Sequence, residues 1–261
     1  NTPYLLPGAR WGFRMGKQEA LDALHADGFQ CPLAGALMGE ITENYVIPEL
    51  SITREEQDEF SYYSHKKAAE AIEKGLFKDE IVPITLKDKK KGELILDTDE
   101  IPRRDISLEA LAKLPAIFKK ENGTITAGSS SALCDAGSAV FVAGAEWARV
   151  NGLKPMAEIV SYAVTATDPQ HFPIAPVDAM RIALDKAGMT LEEMELIELN
   201  EAFAAQVIAC HRKMPFDMEK LNVHGGAISL GHPIGASGAK ILTTLIYSLI
   251  NQNKEIGTVS Y

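Results

Sequence analysis

The chain is poor in cysteine and has no long apolar run. Its 261 residues include three cysteines, Cys31, Cys134 and Cys210. They are odd in number and widely spaced, so they define neither a disulfide framework nor a zinc-binding pair. We therefore expect a reducing, cytoplasmic environment. No stretch approaches the roughly 20 apolar residues that cross a bilayer, so we expect no membrane association.

Positive charge is also in deficit. The chain has 26 lysines and arginines against 36 aspartates and glutamates, a formal net charge of −10. This balance argues against nucleic acid or an anionic membrane as a partner, although a local basic pocket for a phosphorylated ligand stays possible. Hydrophobic residues make up 46% and charged residues 24%, which is typical of a globular protein with one large or two ordinary domains.

The usual terminal signals are missing as well. The chain begins with Asn1 rather than Met, and its first residues lack the basic flank and apolar core of a signal peptide. At the other end, residues 255–261 predict a strand whose backbone groups need partners. We expect both ends to be cuts within a longer protein.

The first half predicts an irregular α+β arrangement. Thr53 and Glu56 form a capping box, which predicts a helix from there to a C-terminal glycine near Gly75. Two strands are predicted around a turn of four lysines among six residues, which indicates a solvated hairpin tip or, alternatively, part of a phosphate-attracting rim. The remaining ranges are a short helix at 18–27, the strands at 81–86 and 93–97, and the lysine turn at 87–92.

The second half alternates between strand and helix patterns. This alternation predicts an α/β layer with a parallel or mixed sheet, beginning near residue 132. A second capping box begins at Thr190. The predicted helices are 132–150, 177–187, 201–212 and 236–250, and the predicted strands are 157–167, 196–199 and 255–261.

A glycine- and histidine-rich loop is the most informative feature. Residues 222–238 read NVHGGAISLGHPIGASG and lead directly into an apolar helix. Glycine is needed where a ligand or another backbone segment comes close, so the loop predicts a binding site that includes His224 and His232. The alternative is a glycine-rich turn with surface histidines.

Three motifs resemble the thiolase family. The loop above is similar to that family's G-G-A-x-x-x-G-H-P-x-G-A-S-G signature. Residues 200–206, NEAFAAQ, match its asparagine motif, and residues 123–131, GTITAGSSS, are similar to G-T-V-T-A-G-N-A-S. The resemblance extends over essentially the whole chain. It implies a thiolase-like α/β fold, with a loop domain at 1–131, a C-terminal α/β domain with a mixed sheet at 132–261, and an N-terminal half outside the chain.

The resemblance implies a Claisen-type reaction between acyl-CoA thioesters that passes through an acyl-cysteine. His232 would activate the nucleophilic cysteine and, through its N–H, help to form an oxyanion hole. Asn200 would hold a water that supplies the other donor. His224 would have a structural hydrogen-bonding role. A metal site built from Cys210, His211, His224 and His232 does not fit the usual ligand spacing.

The resemblance also implies a coenzyme A site. Ser131, Ala202 and Phe203 would contact the pantetheine, and Met38 would lie near the acyl group. Arg103, or the adjacent Arg104, would meet the nucleotide phosphates, a task suited to a guanidinium. Coenzyme A would be a substrate, with no metal and no bound redox cofactor. A homodimer or homotetramer is implied.

The chain departs from the family pattern at the catalytic cysteines. None of its three cysteines lies at a matching position, so we expect the chain alone to show no turnover. Leu37 replaces a histidine that short-chain members carry, and this leaves the acyl chain length open. Acetoacetyl-CoA is the leading substrate; the alternatives are a longer 3-ketoacyl-CoA or a non-catalytic CoA-binding subunit.

Overall fold

The structure is a computed structural model that describes residues 2–88 and 92–261. Lysines 89–91 of the predicted turn lie outside the described residues. The strands are β1 (Tyr4–Leu5), β2 (Leu21–Asp22), β3 (Gln30–Cys31), β4 (Ala36–Leu37), β5 (Ile84–Asp88), β6 (Gly92–Leu96), β7 (Leu196–Leu199) and β8 (Gly257–Ser260). The α-helices are α1 (Met38–Ile41), α2 (Ile47–Leu50), α3 (Arg54–Glu73), α4 (Leu108–Ala112), α5 (Ala145–Val150), α6 (Ala175–Ala187), α7 (Ala204–Lys213), α8 (Ala227–Leu230) and α9 (Ser237–Gln252).

The long helix α3 begins and ends where the sequence predicts. The Thr53 backbone N–H donates to the Glu56 carboxylate at 2.7 Å, and the Glu56 N–H donates to the Thr53 hydroxyl at 3.2 Å. The two residues therefore cap each other reciprocally, as the capping box requires. After α3, Gly75 has a φ of +67°, a conformation that favours glycine and ends the helix.

The predicted hairpin is present after α3. Strands β5 and β6 pair antiparallel, with Ile84 opposite Leu96 and Asp88 opposite Gly92. The other pairs of the first half, β1–β2 and β3–β4, are antiparallel ladders of two residues per strand. Residues 2–37 contain only these short ladders and single helical turns, but residues 38–50 are continuously helical through α1, a π-helical segment at Thr42–Val46 and α2. The irregular arrangement predicted for residues 1–50 is therefore wrong from residue 38 onward. The helix predicted at 18–27 is wrong, because that stretch contains β2 and the beginning of a π-helical turn, Leu24–Phe29.

The C-terminal part has the predicted α/β character. Strand β7 is buried along its whole length and pairs parallel with β8, with Leu196 opposite Gly257 and Leu199 opposite Ser260. Parallel neighbours need a crossover connection, here supplied by helices. The main core cluster packs residues of β7 against α6 and α7, with members Val177, Leu184, Met194, Ile197, Leu199, Val207, Cys210, Phe216 and Leu221. This core fixes the end of β7, where the motif begins with Asn200 and continues with Glu201.

The helix predicted at 132–150 is largely wrong. Only Ala145–Val150 is helical, and it begins after Gly144. Ala132, at the start of the predicted range, is bonded elsewhere: its N–H donates to the Ala227 carbonyl at 3.4 Å, and its carbonyl accepts from the His232 N–H at 2.9 Å. These tertiary contacts keep Ala132 out of a helix, and nothing in the structure explains why residues 133–143 are not helical.

The strand predicted at 157–167 is also wrong. The segment is apolar, but no described strand lies beside it to form a ladder, and a lone strand is not stable in water. It rests instead against α6, where the Ser161 hydroxyl donates to the Ala183 carbonyl at 2.6 Å and Lys186 donates to the Tyr162 carbonyl at 3.0 Å. The side chains of Tyr162 and Val164 are largely exposed.

The second capping box has no helix behind it. The Glu193 carboxylate accepts from the Thr190 N–H at 2.7 Å, but the residues that follow form only turns before β7.

In residues 2–88 and 92–261, no helix combines the length and the apolar content that crossing a bilayer requires. The domain boundary between residues 131 and 132 stays a prediction.

The two capping boxes provide a matched stability test. We expect Thr53→Ala to lower the free energy of unfolding by about 1 kcal/mol, because it removes the N-cap of a 20-residue helix. Thr190→Ala should cost less, since no helix follows that residue. Urea denaturation of both variants measures the difference. An equal loss of stability in the two variants would contradict this account of the N-cap.

Candidate active site

A buried carboxylate joins the two sequence motifs. Glu201, which is 1% exposed, lies directly after β7 and accepts three hydrogen bonds. The Ser64 hydroxyl of α3 donates at 2.8 Å, the Asn222 amide at 2.8 Å and the Ile228 N–H of α8 at 3.1 Å. Burial raises the pKa of Glu201, and these three hydrogen bonds oppose that shift. The asparagine motif is therefore tied to both α3 and the glycine–histidine loop.

Asn222 holds the beginning of the glycine–histidine loop against β7. Its amide oxygen accepts from the Leu199 N–H at 2.9 Å, and its amide nitrogen donates to the Leu199 carbonyl at 2.9 Å. The side chain thus pairs with the strand as a neighbouring backbone would. Because Asn222 is buried, each of these groups would be costly to leave without a partner. The loop cannot shift along β7 without breaking these bonds.

Two glycines allow close packing in this loop. A Cβ atom on Gly226 would overlap the Glu201 carboxylate, and one on Gly231 would overlap the Cys134 sulfur. Gly231 also has a φ of +88°, which is strained for other residues. The sequence predicts that a ligand or another backbone segment comes close to this loop. In the structure, Glu201 and Cys134 of the same chain pack closely on its glycines.

Asn200 and His232 come together at the end of β7. The Asn200 Nδ2 lies 3.4 Å from the His232 Nε2, a long hydrogen bond. The backbone fixes both residues, because the Asn200 N–H donates to the Ser260 carbonyl of β8 at 3.0 Å and the His232 N–H donates to Ala132. The two residues that the sequence selects for catalysis are thus adjacent, although they are 32 positions apart in the chain.

We infer one tautomer of His232 from the hydrogen-bond partners of its two ring nitrogens. Its Nδ1 lies 2.7 Å from the Ser237 hydroxyl, which donates its one hydrogen to the Pro233 carbonyl at 3.1 Å. The hydroxyl oxygen therefore accepts from Nδ1–H. Nε2 is left without a hydrogen, and it accepts from the Asn200 Nδ2.

The electrostatics of the site favour neutral histidine. Burial lowers the pKa of His232, and the positive charge of Lys240 on α9 lowers it further. The aromatic ring of Tyr261 lies edge-on to the imidazole, with 5.7 Å between the ring centres. At neutral pH His232 is therefore uncharged, with an unprotonated Nε2 that can accept a proton.

His224 has a different environment. Its Nδ1 lies 3.0 Å from the Ser248 hydroxyl of α9, and its ring packs edge-on against Phe77. Burial lowers its pKa. This is the hydrogen-bonding arrangement expected of a structural residue.

The structure brings three of the predicted coenzyme A residues together. The Ser131 N–H donates to the Ala202 carbonyl at 3.0 Å, and the Ala204 N–H donates to the Ser129 carbonyl at 2.9 Å, which sets Phe203 beside this strand-like segment. Ser131, Ala202 and Phe203 are all half-buried. Ala202 and Phe203 belong to the Asn200 motif, and Ser131 connects that motif to Ala132, which bonds to His232.

Met38 and Arg103 lie apart from that trio. Met38 is half-buried at the first position of α1 and is followed by Gly39, which packs on Phe118. The Phe118 ring in turn meets the Phe203 ring edge-on at 5.7 Å. Met38 is therefore linked to the trio through one aromatic contact.

Arg103 is exposed, and its described hydrogen bond runs from its backbone N–H to the His65 Nδ1 at 3.1 Å. The adjacent Arg104 forms an exposed ion pair with Glu73 at 3.9 Å. Within the described part of the chain, the Arg103 guanidinium has no carboxylate partner. Arg103 is thus the more available of the two guanidinium groups.

The three cysteines differ in burial and in their hydrogen-bond partners. Cys210 is fully buried in the core, donates to the Pro173 carbonyl and has a pKa raised by burial to about 12. Cys31 is half-buried and accepts from the Ala34 N–H. Cys134 packs on Gly231 beside His232, and burial raises the pKa of its thiol as well. A thiolate is the nucleophilic form, so neither Cys134 nor Cys210 is activated.

Sequence reasoning missed the residues that support the site. Ser237 and Glu201 lie inside the quoted motifs, but nothing in their spacing shows which groups they form hydrogen bonds with.

Among the described residues, no group of three or more histidine, cysteine, aspartate or glutamate side chains is arranged to hold a metal ion.

Comparison with known proteins adds family information. The family model described as the N-terminal domain of thiolase matches residues 1–146, and that of the thiolase C-terminal domain matches residues 153–261. A curated acetyl-CoA acetyltransferase of Syntrophomonas wolfei is 48% identical over 98% of this chain. The beta-ketothiolase BktB of Cupriavidus necator is 44% identical over 95% of it. The chain spans 65% and 62% of the lengths of these two relatives.

Solved structures show the same similarity. The acetyl-CoA acetyltransferase of Bacillus anthracis superposes with a TM-score of 0.91 at 42% identity, covering 99% of this chain and 64% of that one. Human mitochondrial 3-ketoacyl-CoA thiolase superposes with a TM-score of 0.88 at 36% identity, covering 97% of this chain and 63% of that one.

The Ser237 contact can be tested directly. We expect ¹⁵N-histidine NMR at neutral pH to show His232 with its proton on Nδ1, and Ser237→Ala to give a mixture of tautomers because the acceptor for Nδ1–H is removed. Ser248→Ala is the matched control, since it removes the equivalent contact of His224 and should leave the His232 signals unchanged. A His232 tautomer that is unaffected by Ser237→Ala would contradict this assignment.

Proposed function

The chain belongs to the thiolase family, and we propose that it provides the oxyanion-binding and pantetheine-binding side of an acyl-CoA C-acyltransferase site. The reaction is reversible Claisen condensation or thiolysis, with acetoacetyl-CoA as the leading 3-ketoacyl-CoA substrate. The observation that carries this proposal is the contact between Asn200 and His232 at the end of β7. The names of the relatives, acetyl-CoA acetyltransferase above all, support the same substrate class.

The state of His232 suits both of its proposed tasks. With Nε2 unprotonated, the imidazole can take the proton of a cysteine thiol and leave a thiolate to attack the thioester carbonyl. The same transfer turns Nε2 into an N–H donor directed at the oxyanion that forms. Ser237 holds the ring in place during the exchange, because its contact is with the other nitrogen. One proton transfer therefore prepares both the nucleophile and the oxyanion hole.

Asn200 supplies the second part of this oxyanion site. Its amide nitrogen lies near His232 Nε2, so a water bound to it would be close to the same substrate oxygen. A thioester enolate is too basic to form without such stabilisation. Removing one donor of this kind typically costs 10²- to 10³-fold in kcat.

Coenzyme A is proposed to lie along the segment that joins the motifs. Ser131, Ala202 and Phe203 form a half-buried surface next to Asn200, which suits a pantetheine arm with an apolar stem and amide groups. Met38 is proposed to lie near the acyl group. Arg103, rather than Arg104, is proposed for the phosphates because Arg104 is already paired with Glu73. Coenzyme A is thus a substrate, and the proposal includes no resident cofactor.

The nucleophile is proposed not to be among the cysteines of this chain. Cys210 is held in the core with a pKa of about 12, and burial raises the pKa of Cys134. We therefore propose that the 261-residue chain has no turnover alone. A cytoplasmic location and a homodimeric or homotetrameric assembly remain proposals from the family.

A longer 3-ketoacyl-CoA is the second candidate substrate. Leu37, half-buried in β4 directly before Met38, is apolar where short-chain thiolases carry histidine. An apolar side chain at this place favours an acyl tail over a small polar group. The names beta-ketothiolase and 3-ketoacyl-CoA thiolase among the similar proteins are compatible with this alternative.

The function can be tested with a hybrid enzyme. The chain would replace the matching 260 residues of the Syntrophomonas wolfei acetyl-CoA acetyltransferase, and thiolysis of acetoacetyl-CoA and of a longer 3-ketoacyl-CoA would be measured beside the isolated chain. We expect turnover by the hybrid and none by the isolated chain. His232→Ala and Asn200→Ala in the hybrid should each lower kcat by about 10²- to 10³-fold.

The exposed His25 provides the control substitution, because His25→Gln removes an imidazole whose side chain has no described hydrogen bond to Asn200, His232 or Ser237. It should leave kcat unchanged. A folded hybrid without turnover on either substrate would contradict the proposed function and favour a non-catalytic CoA-binding subunit. Turnover by the isolated chain would instead make Cys31, Cys134 and Cys210 candidate nucleophiles.

A further inference from the structure

A small, partly open cavity lies behind Asn200, between β7, the glycine–histidine loop and α9. The volume of the cavity is about 10 Å³, which is close to the volume that one water molecule requires. Polar side chains at its wall are Glu198, Asn200, Ser237, Lys240 and Thr244. A cavity of this size with several polar groups in its wall is the kind that holds an ordered water.

One buried polar atom at this cavity lacks a protein partner. The Asn200 Oδ1 is buried and has no hydrogen-bond partner among the described residues. Glu198, which is 4% exposed, also lines the cavity, and no described residue donates a hydrogen bond to its carboxyl group. Buried polar atoms are nearly always hydrogen-bonded, so the Asn200 Oδ1 at a water-sized cavity beside this carboxyl group indicates a water between the two residues.

Burial and the charges on neighbouring elements determine the protonation state of Glu198. Burial raises its pKa to about 8; Lys240 on α9 and Lys67 on α3 oppose the rise, and Glu201 and Glu80 add to it. At neutral pH the carboxyl group therefore carries a proton. A neutral carboxyl has both an O–H donor and an acceptor oxygen to offer a water.

The orientation of the Asn200 amide depends on what its oxygen contacts. His232 Nε2 is an acceptor in the tautomer fixed by Ser237, so Nδ2 must face it. If the amide turned over, two acceptors would face each other. A donor on the cavity side of Asn200, bonded to Oδ1, would prevent this.

We propose that Glu198 and Lys240 are positioning residues for the Asn200–His232 pair. They hold one water in the cavity, and this water donates to the Asn200 Oδ1 and keeps Nδ2 directed at His232. The inference rests on the proposed function for its role in catalysis. The placement of the water and of the amide is independent of any turnover.

Side-chain NMR of the 261-residue chain tests the proposal. The Asn200 amide and His232 ring signals would be assigned with Asn200→Asp and His232→Gln and followed from pH 4 to pH 9. We expect both sets of signals to shift near pH 8, as Glu198 loses its proton and the water reorients. Lys240→Met should move this step to higher pH, because it removes a positive charge that favours the ionised carboxylate.

Two substitutions of Glu198 separate positioning from general stability. Glu198→Gln still binds a water but cannot ionise, so the neutral-pH signals should persist and the step near pH 8 should vanish. Glu198→Leu cannot bind the water, so the Asn200 amide signals should broaden or double as the amide turns over. Glu43→Gln is the control: Glu43 is equally buried but bonds Thr124 and Ile125, and its loss should leave the Asn200 and His232 signals unchanged.

The outcomes are decisive even if Glu198→Leu does not fold. Persistence of the pH 8 step in Glu198→Gln would overturn the proposal, as would a crystal structure of the chain with no water in contact with both Glu198 and Asn200. Loss of the step in Glu198→Gln with its retention in Glu43→Gln would support it. Because no readout uses coenzyme A, an inactive hybrid enzyme would contradict the proposed function and leave this result intact.

Discussion

The arrangement of the site depends on the buried carboxylate of Glu201. Its three donors come from α3, from Asn222 at the start of the glycine–histidine loop and from the first turn of α8. Desolvating a carboxylate is costly, and only a full set of donors makes it tolerable. The three segments must therefore be in place together. Because Glu201 follows Asn200 directly, the same constraint fixes Asn200 relative to the loop that carries His232.

A second constraint comes from the backbone of residues 129–132. This short segment bonds Ala202 and Ala204 on one side and Ala227 and His232 on the other. It therefore spans the gap between the two motifs, and its length sets their separation. Of the residues proposed to meet pantetheine, Ser131 lies on this segment and Ala202 and Phe203 lie beside it, so a ligand placed along the segment would reach both Asn200 and His232.

The sequence predicts local structure well where local interactions decide it. The capping box at Thr53, Gly188 after α6 with its φ of +67°, and the apolar pattern of α9 each act within a few residues, and the structure has all three helices. The predictions at 132–150 and 157–167 concern segments where distant partners matter. Ala132 at the start of the first range bonds Ala227 and His232, and no described strand lies beside the second range.

The same limit applies to the site. Resemblance to the thiolases identifies His232 and Asn200, because the motif residues are recognisable in the chain. It does not reveal that Ser237 selects the tautomer or that Glu198 borders a cavity behind Asn200, since both depend on how α9 packs on β7.

The same packing of α9 on β7 determines the electrostatics near the proposed oxyanion hole. Burial raises the pKa of Glu198 and Glu201 and lowers that of His232. Neutral groups near the proposed oxyanion hole do not repel the negative charge of a thioester enolate, and in a medium of low dielectric such repulsion would be strong. The proposed anion is therefore compatible with a chain of net charge −10, because burial raises the pKa of both neighbouring carboxyl groups and three hydrogen bonds also stabilise Glu201.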